Sequence, residues 1–364
     1  MGCRACKALF IAGAAVLLWL AAGCIKEVPP SPQEVLLPPA ELQERLGSSW
    51  ISPSFSPDGE RIATPWVVES PIRIFDTLEG NTVFTVTLPP SDIAASLKGW
   101  SPDSSSLAYS TMETGCQMCP YSHILLIDVD ELSQPPETHL YDLPPENYYI
   151  EAFWFPHGDR LAVLIDWKQL IVLDRQATPQ ASLTPPFCGA EHILDVETVD
   201  TGKLFLITGS LVPPRDAPEI VYNLCEVTGE SLEELHLLYR SPQRMEIVAY
   251  HPEERSLLLA LRTTEAETMT LQRFDLAQRR VEEAIEVKGT TIREVSSFGA
   301  WTALNLHQEY GEDHLLIFDW RTHNLTDSGE ILELIGWQDK LEGFLVTRGA
   351  REDRASQHFE VVRP

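Results

Sequence analysis

An apolar pair followed by an acid recurs along this chain. It stands at Ile74-Phe75-Asp76, Leu126-Ile127-Asp128, Val172-Leu173-Asp174, Leu224-Cys225-Glu226 and Ile317-Phe318-Asp319. Forms with a polar first residue are Arg273-Phe274-Asp275 and His358-Phe359-Glu360. From acid to acid the spacings are 52, 46, 52, 49, 44 and 41 residues. A return of this length constrains the fold strongly. Repeats of about 20–50 residues are single supersecondary units that cannot bury their own faces and must stack on copies of themselves.

A second marker precedes each acid. It is an apolar residue entering a turn, as in Phe55-Ser56-Pro57-Asp58-Gly59, Trp100-Ser101-Pro102-Asp103, Phe155-Pro156-His157-Gly158 and Tyr250-His251-Pro252-Glu253. Weaker forms are Val199-Asp200-Thr201-Gly202, Phe298-Gly299 and Trp337-Gln338-Asp339. Proline presets φ at the first central position of a turn, and glycine accepts the positive φ that follows. Runs rich in β-forming residues come next: Arg61–Thr64, Leu107–Ser110, Leu161–Leu164, Leu204–Ile207 and Leu257–Ala260. Each unit therefore reads strand A, tight turn, strand B, loop, strand C, loop, strand D. Long helical patterns are absent. Four strands in such a unit make one blade of a β-propeller, and the chain holds seven. The expected fold is all-β, a seven-bladed propeller of four-stranded antiparallel blades. The recurring acids are read as strand ends that begin turns, not as a catalytic set.

The stretch Phe55-Ser56-Pro57-Asp58-Gly59-Glu60-Arg61-Ile62-Ala63, with Ile74-Phe75-Asp76 after it, resembles the repeat of TolB-type propellers, which are relatives of WD-repeat proteins. The likeness runs from about Trp50 to the C-terminus. It implies the fold. It does not imply an activity, since such repeats serve scaffolds, receptors and the propeller domains of peptidases.

In the first three units strand D runs into Leu88-Pro89-Pro90, Leu143-Pro144-Pro145 and Leu183-Thr184-Pro185-Pro186. The last unit stops at its strand C. Glu34-Val35-Leu36-Leu37-Pro38-Pro39 has the strand D form but precedes the first strand A. Residues 34–39 are thus expected to be the outer strand of the last blade and to close the ring. The double proline ends pairing, because it offers no amide hydrogen. About four ladder bonds at roughly 1 kcal/mol each, with two buried aliphatic side chains at about 1.5–3 kcal/mol each, rival the whole stability of a domain. A chain starting at Ala40 is expected to unfold or aggregate.

Residues 1–23 form a signal peptide: Arg4 and Lys7 lead into the apolar run Ala8–Ala22, which is too short to span a bilayer. Leu20-Ala21-Ala22-Gly23-Cys24 resembles the lipobox of bacterial lipoproteins, with Ala21 where that family usually has leucine. The resemblance implies acylation of Cys24. The acyl chains would hold the protein on the outer face of a membrane of the cell envelope. Residues 24–33 are a linker stiffened by Pro29, Pro30 and Pro32, and 34–364 are the propeller. Strand D of the clasp would start on the side of the Ser-Pro-Asp-Gly turns, which sets the lipid there. The opposite face, made of B–C loops and Pro-Pro connections, would point away from the membrane. That face is the candidate surface for a protein or small ligand.

Acids outnumber bases 54 to 27, a formal charge of −27. Loss of Arg4 and Lys7 with the signal peptide leaves 25 against 54, or −29. Such an excess argues against nucleic acid as a partner, and it keeps a monomeric β-protein soluble. Cys116-Gln117-Met118-Cys119 lies in the B–C loop of blade two. It reads as a structural disulfide between Cys116 and Cys119, with a redox pair, a metal half-site beside His123 and free thiols as alternatives. Cys225 falls on the apolar position of its marker and reads as a buried core thiol. A bond to Cys188 would require strand C to run close to the connection that carries it.

His307, Glu309 and His314 in HQEYGEDH do not form HExxH and read as a solvated loop. Trp100, Trp154, Trp301 and Trp337 read as bulk between blades. No catalytic, cofactor-binding or metal residues are assigned. The function expected is a non-catalytic binding or scaffolding propeller. The rival is a propeller lactonase or hydrolase with its site in the central channel.

Overall fold

A computed structural model describes residues 54–64, 66–77, 81–113, 120–129, 136–200, 203–209, 221–229, 232–262, 268–289, 291–307, 313–338, 341–349 and 356–364. Cys24, the clasp residues 34–39, Cys116, Cys119 and Glu309 lie outside them.

Seven small antiparallel sheets are arranged as a seven-bladed propeller. Blade one is β1 (Ser54–Phe55), β2 (Arg61–Ala63), β4 (Ile72–Asp76) and β5 (Thr82–Val86). Blade two is β6 (Ala94–Trp100), β7 (Ser106–Met112), β8 (His123–Asp128) and β9 (Glu137–Asp142). It takes on β3 (Trp66–Val68) as a fifth strand. Blade three is β10 (Ile150–Trp154), β11 (Arg160–Ile165), β12 (Gln169–Asp174) and β13 (Pro179–Leu183). Blade four is β14 (His192–Asp200), β15 (Lys203–Gly209), β16 (Tyr222–Thr228) and β17 (Glu234–Ser241). Blade five is β18 (Arg244–His251), β19 (Ser256–Arg262), β20 (Thr268–Asp275) and β21 (Arg280–Lys288). Blade six is β22 (Thr291–Phe298), β23 (Trp301–His307), β24 (Asp313–Asp319) and β25 (Asn324–Ile331). Blade seven shows β26 (Glu333–Gln338), β27 (Gly343–Arg348) and β28 (His358–Val362) among the described residues.

Strands B and C are covered on both faces, so they read as unbroken apolar runs such as Leu161–Ile165 and Leu170–Leu173. Their side chains alternate between the two neighbouring blades. A separate buried cluster fills each of the seven junctions. The ring closes where Phe55, Ile62 and Phe75 of blade one meet Leu345 and Phe359 of blade seven. The rings of Phe55 and Phe359 pack edge to face there, 5.7 Å apart.

Two units depart from the expected register. In five blades the marker acid faces the first residue of strand B, as in Arg61↔Asp76, Ser106↔Asp128 and Arg160↔Asp174. In blade four Lys203 faces Thr228, and Glu226 sits two residues inside β16, ion-paired to Lys203. Glu226 does not end its strand. A slip of two keeps a side chain on its face, so Cys225 is still fully buried against blade three. In blade seven Val362 holds the place of Phe75, facing Phe344. Phe359 lies three residues earlier and so turns to the other face, toward blade one.

Cys225 is not a free thiol. It is bonded to Cys188, whose Cα lies 6.6 Å away in the connection from blade three to blade four. Both cysteines belong to the packing of that junction, which joins the connection covalently to strand C.

Strand B of blade one is also divided. β2 ends at Ala63, and β3 leaves from Trp66 to pair with strand A of blade two, Trp66 facing Ser96. Strand A is the innermost strand of a blade, so β3 runs on the channel side of β6.

Candidate functional site

The strands A carry the site. Five of them, β6, β14, β18, β22 and β26, contain a bulge. A bulge re-aims the side chains beside it. Several side chains of the strands A reach the backbone of a neighbouring blade. Asp195 Oδ2 accepts from Ile247 N at 2.6 Å, and Glu294 Oε2 accepts from Leu334 N at 3.2 Å. Trp100 Nε1 donates to Ser54 O at 3.1 Å, Trp154 Nε1 to Gly99 O at 3.2 Å, and Thr198 Oγ1 to Trp154 O at 2.7 Å. Trp100 and Trp154 therefore serve between blades, by bonding as well as by bulk. Trp337 stacks on Phe298 with ring centres 4.1 Å apart, and Trp301 carries the Arg321 guanidinium over its face.

Within this ring lies a cavity of about 920 Å³. Blades three to six line it at the end where strands A begin and strands B finish, away from the A–B turns. At this end β3 covers strand A of blade two. At the position equivalent to Asp195, β18 carries Ala249, which has no acceptor for blade six.

One wall comes from blades three and four. Tyr149 and Trp167 stack at 3.8 Å with their planes 19° apart. The turn that presents Trp167 is unusual. Asp166 and Trp167 both have positive φ, 47° and 57°, in a two-residue hairpin loop of the kind that favours Asn-Gly. Lys168 N bonds Ile165 O at 2.9 Å to close it. The Asp166 carboxylate accepts from Tyr148 N at 3.0 Å and Tyr149 N at 2.9 Å. The Trp167 carbonyl accepts from Ile193 N at 2.8 Å. Strain of this kind, of order 1–3 kcal/mol per residue, persists where surrounding bonds over-determine it, and it concentrates at ligand sites.

The facing wall comes from blades five and six and carries three arginines. Arg262 Nη2 and Arg244 Nη2 lie 2.5 and 3.2 Å from the two oxygens of Glu246. Arg293 Nη1 lies 3.2 Å from Asp313, a fully buried carboxylate that His307 also approaches, at 2.6 Å. Arg262 has five N–H donors. Its Nε finds no acceptor among the described residues. The chain as a whole is acidic, and this wall locally reverses that balance.

Between the walls lie Glu151 and Asp195, with Glu197 beyond. Burial pushes Asp195 up to about 7, against the amides of Ile247 and Val196, with Glu246 and Glu151 adding to the rise. Burial pushes Glu197 up to about 8, helped by Asp195 and opposed by the amide of Tyr250. The Tyr149 hydroxyl is also raised, by burial and by Glu151. Lys98, whose ammonium bonds Ile150 O at 2.9 Å, is lowered by burial and held up by Glu151.

The histidines singled out in the sequence do not line this cavity, and His307 and His314, read as part of a solvated loop, lie on β23 and β24. His307 is bound to Asp313, while His314 turns to Asp327 at 3.2 Å, so the two do not converge. His123, next to the CxxC loop, bonds the buried Asp92 at 2.8 Å, and Thr111 donates to the same carboxylate. Among the described residues no group of three or more His, Cys, Asp or Glu is placed to hold a metal ion. Sequence reasoning missed the arginine wall and Trp167. The Asp166-Trp167 pair between two apolar β-runs was the one visible sign of a strained hairpin.

No protein family model matches the sequence. No curated protein matches it either. Solved structures do. The fold is similar to that of hydrazine synthase from Kuenenia stuttgartiensis, at 11% identity, over 86% of this chain and 94% of that one, with a TM-score of 0.53. It is also similar to the C-terminal WD40 domain of Sif2, at 13% identity, over 81% and 92%, with a TM-score of 0.46. Identities this low speak to the fold alone.

Proposed function

We propose that this protein is a binding or scaffolding propeller of the TolB type, tethered by lipid at Cys24 to the outer face of an envelope membrane, and that it engages its ligand at the channel mouth. The observation that carries the reading is the cavity itself. Aromatic and charged side chains from four blades converge there, in a scaffold whose innermost strands are bonded to one another. Pockets of about 300–1,000 Å³ lined by apolar surface with a few placed polar groups are the usual form of a ligand site. Its position at the end away from the A–B turns agrees with a tether on the other side.

The lipid and the binding face are tested separately. Radiolabelled palmitate fed to cells should label the chain and leave Cys24→Ser unlabelled and in the soluble fraction. A photo-crosslinking residue at Tyr148, which is exposed and next to the lining residue Tyr149, should capture an occupant in cells. The same residue at Pro57 in the first A–B turn should not. Capture from Pro57 alone would overturn the choice of face.

A second reading is an enzyme with its site in the channel, favoured by the raised pKa values of Asp195 and Glu197. The bonds of both carboxylates to backbone amides of blade five supply a structural reason for their place. That is why binding is preferred.

A further inference from the structure

We infer that the mouth cavity recognises an acidic saccharide, a sugar ring bearing a carboxylate; this rests on the binding reading above. The argument is one of opposed walls. On the Trp167 side a flat aromatic face lies beside Glu151 and Asp195. Aromatic rings offer an apolar face with polar edges, which suits the C–H face of a pyranose. Carboxylates accept hydrogen bonds and do not donate when ionised, which suits ring hydroxyls. On the other side Arg244, Arg262 and Arg293 offer planar forks of N–H groups. Such forks match a carboxylate in two-point contact. The two walls thus select opposite ends of one molecule.

A ligand with an ammonium in place of hydroxyls fits less well. The Lys98 ammonium already sits beside Glu151 and answers its charge. A neutral sugar would bring no carboxylate to the arginine wall. An aromatic acid would bring no hydroxyl to Glu151 and Asp195. Glu246 and Asp313 hold the arginines in place before the ligand arrives. Arg244, 60% exposed in its side chain, remains the most available of the three. The strained turn has a use in this scheme: it fixes the indole against Tyr149 so that binding need not order it.

The test uses the full chain in detergent and tryptophan fluorescence with calorimetry. Trigalacturonate is the probe, trigalactose the neutral control, and benzoate the aromatic acid. Trigalacturonate should bind at least tenfold more tightly than either, and should change the emission. Arg244→Gln should weaken it about tenfold and leave trigalactose unmoved. Trp167→Gly should abolish binding and the emission change while the chain still melts cooperatively, because glycine takes φ near +57° without strain and so offsets part of the loss of the packing that Trp167 gives its junction. Equal binding of trigalactose or benzoate would overturn the inference, as would indifference to both substitutions. If trigalacturonate fails while crosslinks from Tyr148 persist, the ligand class is wrong and the binding face stands. If those crosslinks are missing too, the binding reading falls with it.

Discussion

The junction of blades four and five and the junction of blades six and seven share a register and differ in chemistry. In both, the first residue after the bulge of strand A sends a carboxylate to the amide just before the bulge of the next strand A: Asp195 to Ile247, and Glu294 to Leu334. Two residues on, a second side chain accepts from the amide three residues further along. At blades four and five this is Glu197, bonding Tyr250 N. At blades six and seven it is Ser296, which accepts from Trp337 N at 3.0 Å. A neutral hydroxyl thus meets a need that Glu197 meets with an acid, and the acid is one whose charge burial opposes. The difference shows that acids in a channel need not be there for chemistry. It also marks Glu197 as the residue whose acidity the stitch does not require.

The largest effect should follow from removing the shared first stitch. Asp195→Ala leaves the amides of Ile247 and Val196 without their acceptor, a loss of about 3 kcal/mol at 1–3 kcal/mol per buried orphan. Urea unfolding should show the midpoint fall. Asp195→Asn keeps one of the two acceptor oxygens and should recover about half of it. If alanine and asparagine are equally mild, the stitch is not what holds the junction.

Glu294→Ala should cost somewhat less, about 2 kcal/mol. Its carboxylate serves Leu334 N at 3.2 Å and the Asn305 amide, and Asn305 is fully buried. A null result here alongside a large one at Asp195 would mean that the common register conceals unequal bonds. The same urea titration reads both.

How far the sequence could foresee such pairs depends on what repeats. Seven blades, strands B and C, and their buried faces were legible because each junction asks for the same apolar bulk. Phe75, Ile127 and Leu173 answer it in turn. The slips at Glu226 and Phe359 went unseen because a degenerate three-residue marker cannot fix register when strands vary in length. Cys188 joined Cys225 because a connection folds back on the junction, and strand periodicity carries no information about connections. The cavity was hidden for a related reason. Arg244, Arg262 and Arg293 lie on three strands of two blades, and a bulge decides where the side chains beside it point. Even the expected binding face was chosen from chain direction, with no residue to name on it.

The two junctions should also part company with pH. Asp195 and Glu197 have folded values near 7 and 8, above their ordinary 3.8 and 4.5. Between those limits the folded state holds protons that the unfolded chain gives up. Their contribution to stability is then complete below about pH 4, falls as pH rises through 7 and 8, and is flat beyond. The acidic chain repels itself more at high pH as well, so the wild-type slope alone decides nothing. The readout is the difference from a variant: Asp195→Asn with Glu197→Gln should flatten the fall in melting midpoint between pH 5 and 8. An unchanged slope would mean that both acids are ionised in the folded channel.

The smallest change is the sharpest. Glu197→Ser gives the blade four–five junction the side chain that blade six already uses. A serine is shorter, and Ser296 shows that a hydroxyl at this register reaches the amide three residues past the facing bulge. Removing a buried acid whose charged form burial opposes offsets the loss of packing, so stability at pH 8 should stay within about 1 kcal/mol of the parent or exceed it, the scale of one hydrogen bond. At pH 5, where Glu197 is protonated, that advantage should vanish. Saccharide binding should be unchanged, because Glu197 is not among the residues that line the cavity. A large loss of stability at pH 8 would show that the glutamate is bonded in a way the serine cannot copy. A loss of binding or of a turnover with stability intact would move Glu197 from the scaffold into the chemistry, and with it the balance toward the enzyme reading.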